Sequence, residues 1–262
     1  MKRKRPNKRS RSQILWLLLL LSGCMLILYI TLWEKWKERQ TKSIESIRYD
    51  AFGITMPSGY TIHGIDVSSY QGIIHWPSVK NMVSGEIQMG FVFMKATEGL
   101  NDIDKRFHSN WEKAKAARMI RGAYHFFLAT KSGKQQALQF IKQVELKKGD
   151  LPPVIDIEKL YGVKPVLMRQ RVKEFLEIVE AYYKVKPMIY TYSDFYERYL
   201  GKDFNEYPLW VAHYFQPEKP RINRDWNFWQ HSETGRIDGI RAEVDCNVFN
   251  GDSTKFKQML FY

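Results

Sequence analysis

The densest chemistry in the chain is a triplet, Asp156-Ile157-Glu158, closing the apolar run LPPVIDIEKLYG. On an extended strand, residues i and i+2 point to one face, with Cα atoms about 6.5 Å apart. Two carboxylates would then share one cavity behind Val154 and Ile155. Like charges that close, partly removed from water, push at least one pKa upward. A carboxylic acid still protonated near neutral pH can hand its proton to a leaving glycosidic oxygen. The bland alternative is a solvated strand end where each acid pairs with a lysine or arginine. Two further acids, Asp66 in HGIDVSSYQG and Asp245 in AEVDCNVFNG, fall in other strand-like runs and weigh against it.

Aromatic and amide side chains gather in the same places. Tyr124 and His125, Tyr190 and Tyr192, Trp210 and His213, and Trp229, Gln230 and His231 lie in or at the ends of apolar runs. Sugar rings have apolar faces and hydroxyl edges, so aromatic walls with carboxylates and amides suit a carbohydrate groove. Other chemistries lack their patterns. The histidines show no HxH or HExxH spacing, so no metal is expected. There is no GxSxG elbow, Walker A loop or GxGxxG fingerprint, and no cofactor is expected. Cys246 reads as a buried structural thiol rather than a nucleophile.

These groups need elements to position them. Eight short apolar runs predict strands at 63–67, 90–96, 121–127, 153–157, 187–192, 208–213, 226–231 and 243–248. Several, such as FVFM and PVIDI, have no polar alternation, as in strands covered on both faces of a parallel sheet or barrel. Helical stripes fill the early gaps at 104–119, 133–147 and 165–184, with Pro165 suited to a first turn and a shorter helix near 193–200. After Trp210 the gaps 214–225 and 232–242 are polar and turn-rich. The expectation is an α/β fold, a closed barrel whose last third lacks outer helices. In such barrels functional groups sit at the C-terminal ends of strands.

The first sixty residues are of another kind. The chain of 262 residues has a net charge of +13, but residues 1–13 alone hold seven basic side chains and no acid. Residues 60–262 hold 29 basic and 24 acidic residues, so the body is only mildly basic and a nucleic-acid partner is not expected. Hydrophobic residues at 44% exclude a mostly disordered chain, and two cysteines exclude a disulfide scaffold. Residues 14–33 carry no charge. As a helix they would be about 30 Å long, the thickness of a bilayer's hydrocarbon core. Trp16, Tyr29 and Trp33 lie near its ends, where aromatic rings favour the interface. The basic bias puts the N-terminus inside and the body outside the cytoplasm. Leu21-Ser22-Gly23-Cys24 resembles a bacterial lipoprotein box, yet nine largely apolar residues follow Cys24. An uncleaved anchor is therefore favoured over lipidation at Cys24 and over a cleaved signal. The expected organisation is a basic cytoplasmic tail at 1–13, a transmembrane anchor at 14–33, a stalk at 34–59 and a catalytic barrel at 60–262.

Taken in order, GIDVSSYQGIIHW, FVFMKATEG, RGAYHFF, PPVIDIE, PMIYTY, LWVAHY, FWQH and VDCNVFNG resemble glycoside hydrolase family 25, the Chalaropsis-type lysozymes or N-acetylmuramidases. The resemblance runs from about residue 61 to 252, essentially the whole body. It implies a flattened TIM-like (β/α)5(β)3 barrel that hydrolyses the β-1,4 bond between N-acetylmuramic acid and N-acetylglucosamine in peptidoglycan. The family's catalytic acid matches Glu158 and its neighbouring aspartate matches Asp156. The strand-one and last-strand aspartates match Asp66 and Asp245. Tyr124, Tyr190 and Trp210 match aromatic subsite positions, and Gln230 is expected beside them as a substrate contact. The implied partners are peptidoglycan and, through residues 14–33, the lipid of a bacterial cytoplasmic membrane. The catalytic domain is expected to be a monomer. The competing reading is a wall-binding protein that keeps the groove without cutting.

Overall fold

The computed structural model describes residues 8–41 and 47–262. Residues 1–7 of the expected tail and 42–46 of the expected stalk lie outside the described residues. The chain divides into two units, one ending at Glu45 and a larger one from Ser46 to Tyr262.

The first unit holds a single helix, α1 (Lys8–Thr41). Its segment Gln13–Lys35, 23 residues with a mean hydropathy of 2.5, is long and apolar enough to cross a membrane. Leu15, Trp16, Leu20 and Ile27 are exposed on it. Two of its polar side chains bond back to the helix's own backbone: the Ser22 and Thr31 hydroxyls donate to the carbonyls of Leu19 and Leu28, each at 2.9 Å.

In the second unit the strands are β1 (Ile47–Tyr49), β2 (Ile54–Met56), β3 (His63–Val67), β4 (Val83–Ser84), β5 (Ile87–Glu98) and β6 (Asp102–Ile103). They continue as β7 (Ile120–Phe126), β8 (Val154–Asp156), β9 (Met188–Tyr192), β10 (Leu209–Ala212), β11 (Phe228–Gly235) and β12 (Val244–Phe249). β3, β5, β7, β8, β9, β10 and β11 are parallel neighbours in that order. β12 runs antiparallel to both β11 and β3 and closes the barrel. Helices follow the first five barrel strands: α2 (Trp76–Asn81), α3 (Phe107–Ala116), α4 (Gly133–Gln143), α5 (Pro165–Tyr183) and α6 (Ser193–Phe195), the last continuing through irregular turns to Phe204. Among the described residues, no helix follows β10 or β11, and α7 (Ser253–Gln258) comes after β12. This is the five-plus-three pattern that the thinning of helical stripes predicts.

The structure goes beyond the sequence reading in two places. The last strand, whose direction the sequence reading leaves open, runs antiparallel to both its neighbours. Only residues 236–243 separate β11 from β12, and a parallel crossover needs a dozen or more. The second is a departure, at 47–59, read as the end of a stalk. There β1 and β2 form an antiparallel hairpin whose Phe52, Ile54 and Met56 are buried. The Arg236 amide donates to the Phe52 carbonyl at 2.9 Å, fastening the hairpin beyond the end of β11. Three-residue strands are too short to show a period, so the sequence gives no warning.

Alternation along the strands separates two cores. Phe91, Phe93, Val154, Met188, Trp210, Phe228 and Phe249 fill the barrel. Val92, Met94 and Ile155 face outward, in the layer that includes Val172, Phe175 and Leu176 of α5. Each such side chain contributes about 1.5–3 kcal/mol by leaving water. The barrel interior is tight enough to require glycines. A Cβ on Gly64 of β3 would lie 2.5 Å from the Phe91 ring, and one on Gly122 of β7 would lie 2.5 Å from Phe93.

Candidate active site

The inward face that carries aromatic rings low in the barrel carries polar groups at its upper rim. Asp66, Lys95, Tyr124, Asp156, Tyr190, Trp210, Gln230 and Asp245 all border one cavity of about 270 Å³, with Ser68, Phe126, Glu158, Tyr192, Tyr214 and Glu233. Each parallel strand presents its C-terminal end here, as the barrel rule expects. Asp245 arrives differently. It lies near the start of β12, and the reversal of that strand brings its start to the same rim, opposite Asp66.

The floor is a closed hydrogen-bond network. Asp66 Oδ2 accepts from Gln230 Nε2 at 2.8 Å and from Asn247 Nδ2 at 2.7 Å. The hydroxyls of Tyr190 and Tyr214 both donate to Gln230 Oε1 at 2.7 Å. The Trp210 indole N–H donates to Asn247 Oδ1 at 2.7 Å. The Trp210 ring stacks on Phe93 with centroids 4.4 Å apart and is buried. It is part of the floor rather than an open platform. These bonds fix which end of each amide is donor and which is acceptor.

Above the floor stand the two acids of the triplet. Asp156 ends β8, and the Ile157 amide donates to the Tyr190 carbonyl at 3.0 Å, holding the chain extended towards Glu158. Asp156 is buried, and among the described residues its Oδ1 has no hydrogen-bond partner. A buried polar atom left this way costs free energy unless something arrives to use it. Glu158 is half-buried at the cavity wall, with Lys159, Lys95 and the hydroxyls of Tyr190 and Tyr192 near it. Lys95 itself is paired with Glu98 at 2.6 Å.

Burial raises every one of these carboxyls. Asp66 is lifted well above the usual carboxylate range by burial and then by Asp245. Asp156 is lifted likewise by burial and then by Glu158. Asp245 is pushed up to about 7 by burial and by Glu233. Burial also raises Glu158, while Lys159, the two tyrosine hydroxyls and Lys95 hold it back. The arrangement therefore offers a proton donor at the wall, an acceptor without a partner beside it, and a rigid polar floor. Among the described residues, no group of three or more His, Cys, Asp or Glu is placed to hold a metal ion.

All eight site residues singled out in the sequence border this cavity. Several residues grouped with them do not, and the strand period explains why. His125 points outward, bonds Thr97 at 2.7 Å and stacks on Phe175 of α5. The Trp229 indole N–H is spent on the His213 carbonyl at 2.9 Å. Asn247 and Tyr214 were missed. Asn247 stands two positions after Asp245 in VDCN, the same-face spacing that flagged the triplet. Tyr214 lies just past β10, where no period extends.

The profile of Glycosyl hydrolases family 25 matches residues 65–240. YegX of Escherichia coli K12 is 43% identical over 201 residues, 77% of this chain and 74% of that protein. Lysozyme M1 of Streptomyces globisporus is 37% identical over 210 residues, 74% of this chain and 69% of that one. The structure of a family 25 glycosyl hydrolase from Bacillus anthracis superposes with a TM-score of 0.71 at 32% identity, covering 82% of this chain and 96% of that one. The chain belongs to glycosyl hydrolase family 25. It is a glycoside hydrolase built on an eight-stranded barrel. The β1–β2 hairpin and β12 lie outside the matched segment.

Proposed function

We propose that the protein is a muramidase that cuts the β-1,4 bond between N-acetylmuramic acid and N-acetylglucosamine in peptidoglycan. Family membership and a relative named lysozyme support this. The observation that carries the site assignment is the pairing of a raised Glu158 with Asp156, whose Oδ1 is unpartnered among the described residues.

Glu158, protonated, donates to the glycosidic oxygen as the bond to the anomeric carbon breaks. The carbonyl oxygen of the sugar's own 2-acetamido group bonds to that carbon and forms an oxazolinium. Asp156 accepts the acetamide N–H and orients it. Water then attacks the anomeric carbon from the face opposite the oxazolinium oxygen, the bond to that oxygen breaks and restores the acetamide, the water's proton passes to the Glu158 carboxylate, and the configuration is retained. Substrate assistance of this kind does not depend on the carboxylate spacing that usually separates retention from inversion. Asp66 and Asp245 hold the polar floor; Tyr124, Tyr190, Trp210 and Gln230 shape it against the sugar. A panel of oligosaccharides with and without the lactyl group tests the substrate class. Cleavage of the muramyl series alone is expected. Equal cleavage of chitin oligomers would overturn the muramidase assignment and leave a different glycosidase.

The helix α1 fits a single-pass anchor in a bacterial cytoplasmic membrane, with the N-terminus inside and the barrel, as a monomer, facing the wall. In this reading the enzyme remodels the cell's own wall. Protease digestion of intact spheroplasts that removes the barrel supports the topology. A mass showing lipid on Cys24 would replace the anchor with a lipoprotein.

A further inference from the structure

In the second unit, α3, α4 and α5 run against the parallel strands they join. Their C-terminal turns, and the loops into β7, β8 and β9, therefore lie at the strand starts. This base is the end of the barrel opposite the catalytic rim. The reversed β12 also ends here, and α7 follows it with Phe256 buried in the barrel core. Backbone bonds of 2.8 Å, from Gly149 to Phe261 and from Phe261 to Asp150, tie the segment after α7 to the loop before β8.

The base is loaded with positive charge. Residues 113–118, 142–148 and 255–257 hold eight Lys or Arg and one acid, Glu145, whereas residues 60–262 as a whole hold 29 basic and 24 acidic residues. Glu145 is engaged by Lys147. Of the adjoining acids, Glu112 faces the buried Arg121 at 3.5 Å and Asp252 accepts from the Lys255 amide at 2.8 Å. Lys113, Lys115, Arg118, Lys142, Lys255 and Lys257 are exposed and, among the described residues, make no ion pair. The catalytic rim has the opposite balance: Asp66, Asp156, Glu158, Glu233 and Asp245 border its cavity with one lysine, Lys95.

Two further observations say what such a base would meet. Tyr182 and Tyr262 are exposed on it, and the Lys148 ammonium lies 5.4 Å from the centre of the Tyr262 ring. A recess of about 690 Å³ opens there, bordered by Lys115, Lys142, Lys147 and Tyr182. Tyrosine rings beside lysines suit a membrane–water interface, the rings at headgroup level and the ammonium groups on lipid phosphates. The chain also enters the second unit at this end. Ile47 borders a small cavity with His63 and Ile87, the first residues of β3 and β5. The residues before Ile47 lead back in sequence to α1, whose segment Gln13–Lys35 is long and apolar enough to cross a membrane.

We propose that the base of the barrel is a docking face for the anionic headgroups of a phospholipid bilayer, and that docking turns the catalytic mouth away from the membrane. The inference rests on the anchor reading of α1. The competing occupant is an anionic wall polymer. The charge lies where the chain arrives and on the end away from the catalytic cavity, which favours the lipid.

The test reconstitutes the full chain into vesicles of phosphatidylcholine alone, or with about one-third phosphatidylglycerol, an anionic lipid. Hydrogen exchange is read at 113–118, 142–148 and 255–257, with 214–216 at the rim as the reference. At the base it is expected to slow at least about fivefold in the anionic vesicles only, the weight of a single basic residue at such a surface. Salt at about 0.5 M should abolish the protection. So should the triple variant Lys113→Glu, Lys115→Glu, Lys142→Glu, its fold checked by thermal unfolding in detergent. Equal exchange in both kinds of vesicle, or protection that survives the charge reversal, overturns the docking face. Protection that requires added peptidoglycan fragments instead of anionic lipid overturns it too, and assigns the charge to the wall. Release of the protein from both kinds of vesicle by alkaline carbonate would instead remove the anchor reading, and the docking face with it.

Discussion

Asp66 on β3 and Asp245 on β12 are register partners across the seam that closes the barrel. The two acids come from opposite ends of the barrel sequence and from strands that run in opposite directions. Between them and the amides of Gln230 and Asn247, the barrel's closure and the floor of the site are one construction. Damage to either should therefore be felt in both.

Asn247→Leu is the direct case. It strips one donor from Asp66 and leaves the Trp210 indole N–H without its acceptor. Each buried group left unsatisfied costs about 1–3 kcal/mol. For a domain of this size each kcal/mol lowers Tm by about 2–4 °C. Thermal unfolding followed by tryptophan fluorescence should show a fall of several degrees; an unchanged Tm would separate closure from floor.

The raised acids make stability depend on pH in a defined direction. Asp245 sits at about 7 in the fold, against 3.8 as the ordinary value. A carboxyl raised by folding contributes stability below its unfolded pKa and loses it as pH rises through the folded one. The window is therefore from about pH 4 to pH 7, and the loss, discounted for partial exposure, is about 2 kcal/mol. Urea unfolding at pH 4 and pH 8 should show this loss in the unaltered protein and a smaller one in Asp245→Asn. Equal losses would mean that Asp245 titrates as if exposed.

Glu158, the proposed proton donor, is tuned from outside the cavity as well. Lys159, exposed beside Glu158, is the strongest influence holding that acid down. Lys159→Met should raise Glu158 further. The activity limb that falls as the acid ionises should then move to higher pH. Because Lys159 is exposed, the difference should shrink in high salt. A limb that stays in place at low salt would assign it to another group.

Gly64 offers a packing test. A methyl there meets the Phe91 ring at 2.5 Å, deep below the site. Gly64→Ala should destabilise by about 1–3 kcal/mol, the usual range for overpacking. Denaturant midpoints measure this; a neutral result would mean that the β3–β5 contact is looser than the geometry indicates.

Much of this was legible in the residues. The apolar runs marked all eight barrel strands, because strands covered on both faces cannot hide polar alternation. The fading helical stripes after Trp210 marked the bare last third. The triplet marked the site, because a two-residue period puts Asp156 and Glu158 on one face. Direction was not legible: nothing within VDCNVF says which way β12 runs, and only the short β11–β12 link does. The hairpin was hidden by its brevity. His125 and Trp229 were misplaced because neighbours in sequence are opposites on a strand. Tyr214 lies in a loop, where position follows from tertiary contacts that no local pattern encodes.

The most direct test of the central claim compares the full chain with Glu158→Gln on purified peptidoglycan, reading new reducing ends by mass spectrometry after borohydride reduction. The amide cannot deliver a proton, while the fold, checked by circular dichroism, should persist. The account predicts new muramitol ends from the unaltered protein and almost none from the variant. Glucosaminitol ends, or equal release by Glu158→Gln, would contradict it.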